Sequence, residues 1–259
     1  MTDFFTRFNH LCGESNANKH PHRHNNRCFP FTVLVHVNRG EYICYYDKKI
    51  ITAKANETLV VPEYVLHDIE MKKSGNLSWT HITATINDRD ILVGSREAFI
   101  LEKENHKDIK FFIESLNKPN DNCISVRVLN EQILISKIFI LILQNYEKNA
   151  MNDVVWVNDI KRYITKNINK KFTIKDLATQ CCMSESSFCH KFKNEVGVSP
   201  IRYIILQKIN ESLFMLNNHL PIKIIAQNLN FSNEYYYSMK FKQITGLTPT
   251  EYIKNKNKL

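Results

Sequence analysis

Glycine and proline are scarce in this chain, six and seven among 259 residues, which excludes a low-complexity or Gly/Pro-rich sequence and leaves a globular composition. Long apolar runs are also missing. The longest, Ile133 to Leu143, is about half a membrane span and contains Ser136 and Lys137, so no spanning helix is expected. The opening residues, MTDFFTRFNHLCGES, lack the charged-then-apolar layout of a secretory signal. Cysteine is odd in number: Cys12, Cys28, Cys44, Cys123, Cys181, Cys182 and Cys189 make seven, none in a C-x-x-C pair. That excludes a disulfide framework or zinc finger and fits small buried hydrophobes in a reducing cytoplasm.

Acidic residues are short in one region only. Residues 1–155 hold 19 Lys/Arg and 19 Asp/Glu, whereas residues 156–259 hold 16 and seven, so 16 − 7 = +9 accounts for the whole net charge. A neutral front and a basic back point to a polyanion partner for the back alone. The length accommodates two domains, and the local patterns divide the same way.

From Phe29 to about Ile86, β-branched and aromatic runs alternate with turn signals: FPFTVLVHV, EYICYY, IITAKA, TLVVP and LSWTHITATI. Short strands at this spacing predict a small antiparallel barrel or jelly roll. From about Asp90 to Asn149 the period becomes helical, in IKFFIESLN and then over about Ser125 to Lys148. The second of these helices is apolar around much of its circumference. Leu129, Ile133, Ile140 and Leu143 lie on one side at heptad-like spacing, which predicts a homodimer contact. Beyond Val157 the pattern is helical throughout. Thr173-x-x-Asp176, Ser184, Ser199-Pro200 and Thr248-Pro249-Thr250-Glu251 are start signals, and Gly197 and Gly246 are stops.

This last section repeats itself at an offset of 48 to 49 residues. Ala178-x4-Met183-Ser184 parallels Ala226-x4-Phe231-Ser232, Phe188-x3-Phe192-Lys193 parallels Tyr237-x3-Phe241-Lys242, and Gly197-x-Ser199-Pro200 parallels Gly246-x-Thr248-Pro249. A small residue lets two helices approach across a short turn, and an aromatic pair four apart anchors the second helix. Each copy therefore reads as a helix-turn-helix. With Phe188, Phe192 and Val196 facing inward, the first recognition helix presents Ser186, Cys189, His190 and Lys193. With Tyr237, Phe241 and Ile244 inward, the second presents Glu234, Tyr235, Ser238, Met239 and Lys242. Small, polar and basic residues on a free helix face suit the major groove of double-stranded DNA.

The arrangement resembles the AraC/XylS family of bacterial regulators over about residues 157–256, most specifically in IAQNLNFSNEYYYSMKFKQITGLTPTEYIK. The chain departs from that family at Asn230, where glycine is usual, at Tyr237, where phenylalanine is usual, and at Met239, where a basic residue is common. In the front half, Asn56-x5-Pro62-x-Tyr64-x2-His67 keeps the spacing of the second cupin motif, with Asn56 and Tyr64 in place of its glycines. The resemblance implies an α+β chain of two domains. Residues 1–150 would form a cupin-like β-barrel with a helical dimerisation segment that binds a small-molecule effector, and residues 157–259 an all-α domain with tandem helix-turn-helix units. It further implies a non-enzymatic regulator without a cofactor that activates by contact with RNA polymerase, while the residues themselves leave activator and repressor both open. The cysteine usage and the short apolar runs point to the cytoplasm and to no membrane partner.

His20-x-His22-x-His24 lies just before the first expected strand. With His67, His22 and His24 are expected to line the effector pocket. A metal at these imidazoles would make the alternative, a metal-dependent cupin enzyme carrying a DNA-binding appendage. Such an enzyme calls for a glutamate soon after His24, and the segment there reads Asn25-Asn26-Arg27-Cys28. A fused DNA-repair methyltransferase would need a cysteine-rich zinc site near the start, and Cys12 and Cys28 stand far apart. His36 and His81 are expected to be hydrogen-bonded residues of the barrel.

Overall fold

A computed structural model describes residues 6–17, 22–71, 74–86, 89–90, 97–118, 123–146 and 155–256. The chain divides into two compact units, Met1–Asn152 and Asp153–Leu259. Among the described residues no helix is long and apolar enough to cross a membrane.

The first unit contains β1 (Thr6–Ala17), β2 (His22–Arg27), β3 (Thr32–Arg39), β4 (Glu41–Tyr46), β5 (Lys49–Lys54), β6 (Thr58–Val61), β7 (His67–Met71), β8 (Gly75–Ile86), β9 (Arg89–Asp90) and β10 (Phe99–Ile100). Two helices follow, α1 (His106–Asn117) and α2 (Ile124–Tyr146). The strands form two sheets, in the orders β1-β8-β3-β6-β10 and β2-β7-β4-β5, with β9 beside β8. All pairings are antiparallel, as the runs separated by short turns predict.

The near-continuous apolar run of β3 reflects burial on both faces. Leu34 joins Val60, Ile82 and Ala84 in a core completed by Ile109 and Ile113 of α1 and by Ile135, Ile138, Phe139 and Ile142 of α2. Val33 and Val35 pair in register with His81 and Trp79 of β8 and face the other way. Helices therefore cover one face of the larger sheet. On the other face the rings of Phe29, His67 and His81 join residues of the two sheets, Phe29 lying 5.9 Å from His67 and 5.2 Å from His81.

Three expectations need correction here. The histidine segment does not precede the first strand: β2 begins at His22, and β1 comes before it. The stretch after Asp90 is not helical at once, because β10 pairs with β6 before α1 begins. Leu143 does not extend the outer stripe of α2. It is half-buried and packs against the core, whereas Leu129, Ile133 and Ile140 are 58%, 52% and 53% exposed. The two replaced motif glycines keep glycine's backbone: Asn56 has φ 67° and Tyr64 φ 63°, both left-handed.

The second unit is helical in all its elements: α3 (Val155–Lys166), α4 (Ile174–Gln180), α5 (Glu185–Val196), α6 (Pro200–Asn217), α7 (Ile222–Asn228), α8 (Glu234–Thr245) and α9 (Pro249–Lys256). Their ends follow the start and stop residues. Thr173 and Asp176 form a reciprocal capping box, and Ser184 and Ser199 cap α5 and α6, the latter with Pro200 at the first turn. Thr248 and Glu251 repeat the box at α9, and these hydrogen bonds hold the Glu251 carboxyl below its ordinary pKa. Gly197 (φ 87°) and Gly246 (φ 84°) end α5 and α8 in the left-handed conformation.

Candidate nucleic-acid interface

The two copies build their turns alike. In the first, Ala178 is buried, Cys182 is left-handed at φ 52°, and Met183 N–H donates to the Ala178 carbonyl at 2.9 Å. In the second, Ala226 is buried, Asn230 has φ 50°, and Phe231 N–H donates to the Ala226 carbonyl at 2.9 Å. A larger residue at either alanine would separate the helices that this bond closes. The offset changes from 48 to 49 at Ser232, an extra residue between the second turn and its cap. The cap of α8 is consequently Asn233, whose side-chain oxygen accepts from Tyr236 N–H at 2.8 Å.

Aromatic packing then orients the second helix of each copy. Phe188 and Phe192 lie 5.6 Å apart and are fully buried, with Tyr203 of α6 5.4 Å from Phe192. Tyr237 and Phe241 lie 5.8 Å apart and are likewise buried, with Tyr252 of α9 5.8 Å from Phe241. Each pair forces the opposite side of its helix outward. On α5, Ser186, His190 and Lys193 are exposed and Cys189 is half-exposed. On α8, Glu234, Tyr235, Met239 and Lys242 are exposed, Tyr235 to 78%, and Ser238 is half-exposed. Ile244 is half-buried at the edge of its helix's inner face.

One residue at this surface escaped the sequence reading. Asn194 places its side-chain nitrogen 3.3 Å from His190 Nδ1, one turn earlier. With the amide donating, Nδ1 accepts, which leaves Nε2 as the ring's donor nitrogen. The i, i+4 spacing on an exposed helix face was the available signal.

Among the described residues the histidines of the first unit do not gather into one set, and the side chain of His22 lies outside those residues. His24 pairs with Ile69 and is exposed; β2 begins at His22, opposite Met71. His67 is buried, its Nδ1 donates to the Val65 carbonyl at 2.9 Å, and burial pulls its pKa down to about 4. Phe29, Phe31 and Trp79 surround His81, whose pKa burial drives well below normal. The Arg27 guanidinium lies 4.8 Å over the Phe29 ring. His36 Nδ1 meets Thr58 Oγ1 at 2.9 Å as expected of a barrel residue, but among the described residues neither His36 Nε2 nor His81 Nδ1, both buried, has a hydrogen-bond partner. Spacing did not single out His81 or Arg27, because they come from different strands. Among the described residues no group of three or more His, Cys, Asp or Glu is placed to hold a metal ion.

Known proteins agree with this layout. Residues 177–255 match the helix-turn-helix domain family and residues 13–90 the AraC-like ligand binding domain family. The transcriptional regulatory protein HptR of Staphylococcus aureus (strain N315) is 24% identical over 232 residues, 81% of this chain and 89% of HptR. The probable transcriptional regulator LumQ of Photobacterium leiognathi is 22% identical over 156 residues, 60% of this chain but only 61% of LumQ. The fold is shared with a fatty-acid-bound ToxT from Vibrio cholerae strain SCE256, at a TM-score of 0.61 and 15% identity over 98% of this chain and 95% of ToxT. These matches support a regulator over a cupin enzyme. With a sheet-rich unit matching the ligand-binding domain and a helical unit matching the DNA-binding domain, the chain belongs to the AraC family of transcriptional regulators.

Proposed function

We propose that the chain recognises specific DNA sequences through both repeats, with α5 reading bases and α8 mainly positioning the protein. The observation that carries this reading is the paired geometry of α5 and α8. Each buries an aromatic pair on one side and turns a polar face to solvent on the other. Ser186 and Cys189 are small enough for close approach to the groove, His190 offers its Nε2 donor to a guanine acceptor, and Lys193 meets a phosphate. On α8, Met239 offers apolar contact to a thymine methyl. Glu234 suits a cytosine amino group, Tyr235 and Ser238 flank the groove, and Lys242 reaches the backbone. The two helices would enter successive major-groove segments, about 34 Å or one turn apart.

The first unit would supply the remaining parts of the regulator. A small effector would bind where Arg27, His67 and His81 meet Phe29, with His24 of β2 at the edge and His22 in the same strand. It would regulate only by binding two states of the chain unequally. The exposed stripe of Val126, Leu129, Ile133 and Ile140 on α2 would pair with a second copy, and replacing Ile133 and Ile140 with Asp would then yield folded monomers. The chain acts by binding rather than catalysis, in the cytoplasm, as an activator that contacts RNA polymerase. Genomic binding-site mapping with the intact protein tests the central reading. It should return a bipartite site, and affinity should fall steeply with salt. Binding with no sequence preference would contradict it.

A further inference from the structure

The turn of the second repeat is held from two sides by groups that the DNA-facing surface does not use. Asn230 occupies the left-handed position of that turn, where glycine would be the least strained residue. Its side-chain nitrogen donates to the carbonyl oxygen of Asn169, in the connection between α3 and α4 that leads into the first repeat. Its own carbonyl oxygen accepts from Lys208 Nζ at 3.3 Å. Lys208 belongs to α6, the helix joining the repeats. It is only 7% exposed, and its ammonium sits 5.6 Å over the ring of Phe231. Burying an ammonium is costly unless its donors are engaged, and burial lowers the Lys208 pKa.

Three segments therefore converge on one residue: the entry to the first repeat, the joining helix, and the second turn. Glycine at position 230 would satisfy the backbone but could not reach Asn169. The equivalent turn of the first repeat carries Cys182, left-handed and exposed. The tie is thus a property of the second turn and not of the shared scaffold.

We propose that Asn230 and Lys208 are positioning residues that set the separation of the two recognition helices, and with it the half-site spacing the chain accepts. This rests on the reading that both α5 and α8 enter DNA. The test is selection from a library of paired half-sites whose spacer varies by single base pairs, with the intact chain and the variants Asn230→Gly, Lys208→Met and Lys208→Arg.

The wild-type chain should select one spacing. Asn230→Gly and Lys208→Met should lose about 3- to 10-fold of that discrimination, the worth of one net hydrogen bond, while keeping the base preferences within each half-site. Lys208→Arg, which retains the donor, should restore it. Folding is checked by the melting temperature of each variant, and Lys208→Met decides the matter if Asn230→Gly does not fold. The proposal is overturned if the folded variants keep wild-type spacing selectivity, or if selectivity falls equally in Lys208→Arg. A wild-type chain that selects a single half-site overturns both this proposal and the two-helix reading.

Discussion

Laid over one another, the two repeats agree at the buried positions that close the turn and seat the helix, and differ at most of the exposed positions on the outer face. Phe188 and Phe192 correspond to Tyr237 and Phe241, Ala178 to Ala226, and Gly197 to Gly246. On the outer face Ser186 stands against Tyr235, Cys189 against Ser238, and His190 against Met239; of the four positions only Lys193 and Lys242 agree. Packing imposes one solution on both copies, since each must close a short turn and seat a helix on an aromatic pair. The outer face has no such constraint, and on the proposed reading its divergence reflects a difference in task. On that reading a donor-bearing imidazole and a thioether would read different things, whereas a lysine in both copies would suit a backbone common to every DNA sequence.

The largest effect should come from the positions where the copies agree. Phe192→Ala and Phe241→Ala should each destabilise the helical unit by about 3–5 kcal/mol, measured by denaturant unfolding, because both rings are fully buried. A large loss at one and a small loss at the other would break the equivalence of the two scaffolds.

Acidification should separate the helical unit from the sheet-rich one and so isolate the comparison. Burial holds His36 and His67 at about 4, against an ordinary value of about 6.5. A histidine lowered in the folded state leaves the unfolded chain binding more protons between those values. Stability is therefore full above about pH 6.5 and declines as pH falls toward 4, by on the order of 1 kcal/mol per pH unit for each group. Among the described residues every buried histidine lies in the first unit. Calorimetry from pH 7 to pH 5 should accordingly show the transition of the first unit moving down more than that of the second. Equal movement of both would count against this account.

The caps come next in size. Ser184→Ala and Asn233→Ala each remove the acceptor that starts a recognition helix, from bonds of 3.3 Å and 2.8 Å respectively, and each should cost about 1 kcal/mol of stability. Thermal melts of the two variants should coincide closely. A much larger loss at Asn233 would mean that the extra residue Ser232 leaves α8 more dependent on its cap.

The same contrast explains what could be read in the sequence. Helix starts and stops in the second unit were legible because serine, threonine, glycine and proline act locally, within one turn of the residue itself. The strands β3, β4, β5, β6 and β8 were legible through their β-branched and aromatic runs. β2, with the sequence HRHNNR, holds no aliphatic residue and is a strand only because β7 pairs with it. β7 itself buries just two apolar side chains, Ile69 and Met71, and β10 is two residues long. Such strands are specified by their partners rather than by their own pattern. The cluster of Arg27, Phe29, His67 and His81 was hidden for a related reason, since residues far apart in sequence meet only when the sheets form. The outer faces of α5 and α8 were legible because helical periodicity assigns inner and outer sides directly.

The division of labour between the helices is tested most directly by sequence-randomised selection on His190→Ala and Lys242→Ala, with binding followed across salt concentrations. His190→Ala should lose about 1–3 kcal/mol of discrimination and relax the preference in one half-site only. Lys242→Ala should weaken binding to every sequence alike and flatten the salt slope by about one unit. The opposite pattern, with Lys242→Ala changing the preferred sequence and His190→Ala leaving it intact, would contradict the account.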